Sequence, residues 1–319
     1  MTQEDPTQQP NWERKTLENL AYATLKEQRA ARRWKIFFRL AWLGLVAALI
    51  GWSVWGGKKA STMNFSHTAV IEIRGVIDAD AESNAAFISQ ALRDAFEEPT
   101  AKGVLLLINS PGGSPVQAGI IADEIHRLKA LHNKPVHAVV GETCASAAYY
   151  IASAADNIYV DKASLVGSIG VLMNGFGFTE LLGKLGVERR LMIAGDNKAF
   201  LDPFSPLNES QRQHAQQMLT DIHQQFIQVV QRGRGDRLSE KSHADVFSGL
   251  VWTGERAVEM GLADGLASLD QVARDVIGEA QLVDYTQHEN LAERLARRFG
   301  AGAADSALRV LQLGSQPLR

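Results

Sequence analysis

The stretch GETCASAAYYIASAADNIYV, residues 141–160, places Ser146 between an apolar run that ends in glycine and a segment with helical character. A serine where a strand gives way to a helix is where an α/β enzyme displays a nucleophile. The start of the helix adds partial positive charge that favours an anionic intermediate. A serine among alanines reads equally well as a helix cap. As a nucleophile it needs a base to take its proton.

A second stretch, NSPGGSP at 109–115, joins the apolar run GVLLLIN to another helical segment. Gly112 and Gly113 carry no Cβ, so their backbone N–H groups can face open space and donate to a developing oxyanion. A plain strand-to-helix turn has the same composition. None of the eight histidines sits in a glycine-rich or strand-end context; His126, His214 and His223 fall in helical stretches and His137 in a strand. The better base is Lys198, in IAGDNKAFLDPFSP at 193–206, flanked by Ala199, Phe200 and Phe204. An amine among such neighbours is expected to lose water, which favours its neutral form and lets it accept the serine proton. The alternative is a solvated surface lysine.

These residues need a scaffold that brings strand ends together. AVIEIRGVI (69–77), GVLLLIN (103–109), PVHAVVG (135–141), NIYV (157–160) and SIGVLM (168–173) read as strands. Helical spacing of apolar residues covers 83–96, 115–131 and 145–155. This alternation predicts an α/β domain with a mainly parallel sheet, whose sites lie at the carboxyl ends of the strands. A long helix is expected from Glu209 to Arg232, with Asn208 and Gln211 as a capping box. A single domain of catalytic size spans 69–284, followed by a tail at 285–319 with an amphipathic piece at 291–299.

Upstream, IFFRLAWLGLVAALIGWSVW (36–55) is twenty residues long with the single charge Arg39. A helix of that length spans roughly 30 Å, the thickness of one hydrocarbon core. A cleavable signal peptide is less consistent with the long arm before it and the lack of an A-x-A site after it. Residues 1–59 carry ten Lys/Arg against five Asp/Glu, whereas the remaining 260 carry 23 against 31. The basic flank precedes the apolar run, which predicts a cytoplasmic arm (1–35), one transmembrane helix, a linker (56–68) and a domain outside the cytoplasm. The acidic remainder argues against nucleic-acid binding. Cys144 has no intramolecular partner and small neighbours, which favours packing over chemistry. No metal-ligand cluster or nucleotide-binding glycine motif stands out, so no cofactor is expected.

Five blocks in order, VLLLINSPGGSPVQAG, CASAAYYIASAADNIYV, LVGSIGV, GDNKAFLDPFSPLNE and GLVWTGERAVEMGLADGL, resemble the short form of the signal peptide peptidase A family. The resemblance covers residues 69–270. It implies a Clp protease/crotonase-like fold, Ser146 as nucleophile, Lys198 as general base, Ser168 as the hydroxyl that orients the lysine, and Gly113 as an oxyanion donor. It further implies a membrane-bound serine endopeptidase at the bacterial inner membrane, with its catalytic domain in the periplasm. Its expected substrates are cleaved signal peptides and other extended peptides. Its expected assembly is a homo-oligomer with active sites at subunit interfaces. The family often carries Gly-Gly after the serine, where this chain has Ala147 and Ala148, two added methyl groups. An acyl-CoA enzyme of crotonase type and a non-catalytic membrane-anchored scaffold are the alternatives.

Overall fold

The run AKGVLLLINS is apolar at almost every position, and such a strand is stable only with cover on both faces. In the computed structural model it is β2 (Ala101–Ser110), parallel to β1 (His67–Arg74) on one side and β3 (Val136–Ala145) on the other. The structure describes residues 18, 19, 22, 26, 28, 29, 32–45, 48, 65–238 and 243–287. They fall in two units, 1–62 and 63–319, each described by itself. Val104, Leu106 and Ile108 of β2 face the main core with Ile71, Ile73, Ala138 and Val140. The alternate residue Leu105 faces a smaller cluster with Val139, Val272 and Ala273.

Two helices cover the main core. Asn84 starts α1 (Ala85–Glu97) by accepting the Phe87 N–H at 2.9 Å. Ser114 caps α2 (Pro115–His132), Pro115 fills its first position, and left-handed Asn133 ends it. Among the described residues the sheet runs β6-β5-β3-β2-β1-β8, with β4 and then β7 branching from β3. β4 (Asn157–Val160) pairs with the first half of β3, and β5 (Leu165–Gly167) with its end. β6 (Val251–Thr253) runs antiparallel to β5, while β7 (Gly265–Leu266) and β8 (Leu282–Asp284) are parallel to their neighbours. The sheet is mixed and mainly parallel, as the α/β pattern predicts.

Three local expectations need correction. β3 does not stop at Gly141 but runs to Ala145, because its last residues pair with β5. The helix after it is therefore short, α3 (Ala147–Ala152). SIGVLM is not a strand: β5 ends at Gly167, and Ser168 leaves it with φ of 53°.

In the N-terminal unit residues 32–45 are helical, and Trp34, Phe37, Phe38, Leu40, Trp42 and Leu43 are all exposed. Among the described residues no helix is long and apolar enough to cross a membrane. Residues 46, 47 and 49–55 of the expected span, most of the linker and the tail from 288 on lie outside the described residues.

The long helix α5 (Glu209–Arg234) is anchored at its far end. Arg234 is 1% exposed and meets Asp264 through two hydrogen bonds of 2.8 and 2.9 Å, while its Nε donates to the Gly261 carbonyl. Asp264 also accepts the Ile158 N–H at 2.7 Å, tying the helix to β4. A Cβ on Gly233 would lie 1.9 Å from the Ser153 carbonyl oxygen, so α5 passes directly over the end of α3. Burial pushes the Asp264 carboxyl up, but the bonds from Arg234 and Ile158 and the charges of Arg234 and Arg237 outweigh it and hold the group below its ordinary value.

Asp264→Ala leaves a buried guanidinium without its partner and is expected to lower stability by about 3–5 kcal/mol in urea unfolding at neutral pH. The stabilisation from Asp264 is present above the ordinary aspartate range and is lost as pH falls through its lowered folded-state value. The urea midpoint of the parent should therefore fall more steeply in acid than that of Asp264→Asn.

Candidate active site

The end of β3 delivers Ser146 in an uncommon conformation, with φ 53° and ψ −125°. Its N–H donates to the Gly167 carbonyl at 2.9 Å, and its carbonyl accepts the Tyr150 N–H at 3.0 Å to open α3. Its hydroxyl makes no capping bond, so the helix-cap alternative does not describe this serine. A left-handed non-glycine residue persists only where its surroundings over-determine it. Here the surroundings are the sheet edge on one side and the glycine turn on the other.

Gly112 makes that packing possible. A Cβ at this position would lie 2.7 Å from the Ala145 carbonyl oxygen and 2.7 Å from the Ser146 Cβ, and φ is +100°. The turn is held by the Gly112 N–H to Ser110 Oγ at 3.1 Å and by the Ile77 N–H to the Gly112 carbonyl at 3.0 Å. Gly113 bridges to Ile77, where a Cβ would come within 2.1 Å of the Ile77 carbonyl oxygen. Among the described residues the Gly113 N–H meets no acceptor.

Ser168 stands beside Ser146, because Ala145 and Gly167 are register partners. It is also left-handed, with φ 53°, and its N–H donates to the Leu250 carbonyl at 2.7 Å. His223 of α5 donates through Nε2 to the Ile169 carbonyl at 3.1 Å, which fixes the next residue. Ser146, Ser168, Gly112 and Gly113 thus converge on one sheet edge. Ala147 and Ala148 turn their methyl groups into the main core, so their difference from Gly-Gly is absorbed by packing. Cys144 is wholly buried, and burial pushes its thiol far up, away from the reactive thiolate.

Lys198 is not brought to this cluster. It lies in an almost wholly exposed segment, 171–208, that includes α4 (Thr179–Lys184). Among the described residues no hydrogen bond or ion pair joins its side chain to Ser146 or Ser168. The expected desolvation by its aromatic neighbours does not occur within one subunit: Lys198 and Phe204 are exposed and Phe200 is half-buried. The segment nevertheless has internal structure. Phe178 and Phe204 stack at 5.5 Å, Arg189 lies 5.6 Å over Phe204, and Arg189 pairs with Asp202 and Ser205. It exposes Leu172, Met173, Phe176, Leu185, Met192 and Leu207.

One expected contact takes a different partner, and it bears on the site. Asn208 caps α5 by accepting from the Ser210 and Gln211 N–H groups, but the Gln211 side chain does not return to Asn208. It turns into the Lys198 loop. The four-residue spacing that marks a capping box carried no signal for that contact.

A displayed serine beside a glycine turn, at the carboxyl ends of a mainly parallel sheet, is where an α/β enzyme places its site. Residues 129–283, which include Ser146, Ser168 and Lys198, match the family described as Peptidase family S49. The chain is 31% identical over 216 residues to a putative protease of Methanocaldococcus jannaschii, covering 66% of this chain and 68% of that protein. It is 32% identical over 226 residues to a putative signal peptide peptidase of Enterococcus faecium, covering 68% of this chain and 64% of that one. It is also 44% identical over 188 residues to a protein of Brucella melitensis biotype 1 named as the sodium/proton antiporter NhaA, covering 59% of this chain but only 25% of that longer protein. The chain belongs to peptidase family S49, the family that its sequence blocks resemble.

Gly112→Ala would push a methyl group into the backbone that seats Ser146. Reaction of Ser146 with a fluorophosphonate probe is expected to slow by on the order of 100-fold, the scale of a 1 Å misplacement. Gly119→Ala in α2, where the nearest atom to a new Cβ is the Tyr150 hydroxyl at 3.8 Å, should leave the rate unchanged.

Proposed function

We propose that the chain is a membrane-anchored serine endopeptidase in which Ser146 attacks and Lys198 of a neighbouring copy acts as general base. The single observation that carries this reading is the separation of the two groups. Ser146 is held at the sheet edge, while Lys198 rides on an exposed segment and, among the described residues, its side chain meets no hydrogen-bond or ion-pair partner. Packing of that segment against a second copy removes apolar surface from water. It also supplies the dry surroundings in which an amine accepts a proton.

In this mechanism the lysine takes the proton from Ser146 Oγ as the oxygen bonds to the peptide carbonyl carbon. The new oxyanion lies against the Gly113 N–H. Collapse expels the amine leaving group, protonated by the lysine. Water then enters by the reverse sequence and releases the acid. Ser168, next to Ser146, orients the lysine amine. The fold is read as Clp protease/crotonase-like.

Substrates bind extended along the strand edges, through main-chain hydrogen bonds with loose sequence preference. Peptides left in the bilayer after signal cleavage are the natural class. The exposed aromatic and aliphatic side chains of helix 32–45 support a lipid anchor, and the basic residues before the apolar run support a cytoplasmic N-terminus. The catalytic domain then lies on the periplasmic side of a bacterial inner membrane, in a ring-like homo-oligomer.

Ser146→Ala is expected to abolish hydrolysis of a peptide reporter, and Lys198→Ala to lower it by about 10²–10⁴-fold, the range of general-base catalysis. Oligomers assembled from both inactive variants should regain part of the activity, because some interfaces unite an intact serine with an intact lysine. Failure to recover, with subunit exchange demonstrated by differential tags, would mean that each subunit is complete by itself.

A further inference from the structure

The first turn of α5 reaches back into the lysine loop. Gln211 Oε1 accepts the Leu201 N–H at 3.2 Å, and its Nε2 donates to Asn197 Oδ1 at 3.4 Å. Asn197 and Leu201 stand on either side of Lys198 in the chain, so one side chain grips both ends of the turn that carries the amine. Leu201 has φ of +50°, a left-handed conformation for a residue with a branched side chain. Such an outlier points to a constraint from outside the residue. The Leu201 N–H is bonded to Gln211, and the next aromatic along the same face, His214, meets the Phe200 ring edge-on at 5.8 Å.

Packing of the turn into the core does not supply this constraint: residues 191–198 are exposed, 199–202 are half-buried, and none of them belongs to the buried core. Helix α5 can supply it, because its other end is fixed by the buried Arg234–Asp264 pair. We propose that Gln211 is the positioning residue for Lys198: it couples the fixed frame of α5 to the turn, so that the amine is presented at one place. Gln211 acts so only if Lys198 is the general base, as proposed above. The helix start does not need this side chain, because Asn208 already accepts from the Ser210 and Gln211 N–H groups. Alanine is the best helix former, so Gln211→Ala leaves the helix intact.

The test uses the full-length protein in detergent, with a peptide reporter and a fluorophosphonate probe. Gln211→Ala should lower kcat about 10–100-fold with little change in KM, the signature of a misplaced group rather than weaker binding. Labelling of Ser146 should slow in parallel, while the thermal midpoint and oligomer size stay at their parent values. Gln211→Glu keeps the acceptor for the Leu201 N–H and should retain most of kcat. Leu201→Gly in the Gln211→Ala background should restore part of it, because glycine adopts φ of +50° freely. An unchanged kcat in Gln211→Ala, with Lys198→Ala inactive, would overturn the positioning role and leave the serine–lysine pair standing. Full activity in Lys198→Ala would overturn both. A loss in Gln211→Ala that tracks a lower thermal midpoint, with Gln211→Glu no better, would make Gln211 structural and overturn the inference.

Discussion

The close approach of Gly112 to the backbone of Ala145–Ala147 is the contact on which the rest of the subunit depends. Two parallel strand ends lie side by side in any α/β sheet, but their turns ordinarily splay apart to clear their side chains. Here β2 and β3 pair on to Ser110–Cys144, through a register shift after the Ile108–Val140 pair, and the turn beyond β2 folds against the serine. This needs a residue without a Cβ on one strand and a left-handed residue on the other. The core behind them explains why the arrangement holds. Cys144, Ala147, Ala148 and Tyr149 are all buried, so α3 cannot retreat to relieve Ser146. The Tyr149 hydroxyl donates to the Leu262 carbonyl at 2.8 Å and closes that route from behind.

Helix α5 links this rigid centre to the exposed segment. Its carboxyl-terminal half is bound to the body through Phe226, Val230 and Arg234, whereas of its first half only Ala215 is buried. Tyr150 of α3 packs on Phe226 with ring centroids 5.2 Å apart, so the helix that begins at Ser146 touches the helix that contacts the Lys198 loop. A change in the orientation of α5 would therefore be felt at both groups. The His223 bond to Ile169 adds a third tie, to the residue that follows Ser168.

Much of this was legible in the sequence, for identifiable reasons. β1, β2 and the first half of β3 are long apolar runs, and their burial is set by composition alone. The cap Asn208 lies where local chemistry puts it. Ser146, Gly112 and Gly113 stood out because they lie where apolar runs give way to helical segments, although composition alone left a helix cap and a plain turn as equal readings. The failures are all non-local. The end of β3 exists through pairing with β5, and the β6, β7 and β8 strands are two or three residues long and have no period of their own. SIGVLM has strand composition, but Gly167 and Ser168 turn the chain in a way that no hydropathy pattern encodes. The desolvation of Lys198 was inferred from neighbours in sequence, and in one subunit those neighbours leave it in water. The contacts of Gln211 depend on how a loop folds back onto a helix, which spacing within the helix does not report.

Cys144 is the single cysteine of the chain, and it lies sealed beneath the serine. The fold therefore has no covalent connection that an oxidant could make or a reductant could break within one chain. Its stability is set by packing and hydrogen bonds in any redox surroundings, and it needs no disulfide machinery to mature. A cysteine introduced at an exposed position would also be the one accessible thiol of the folded domain, so a spectroscopic or cross-linking reagent would report from that chosen place alone.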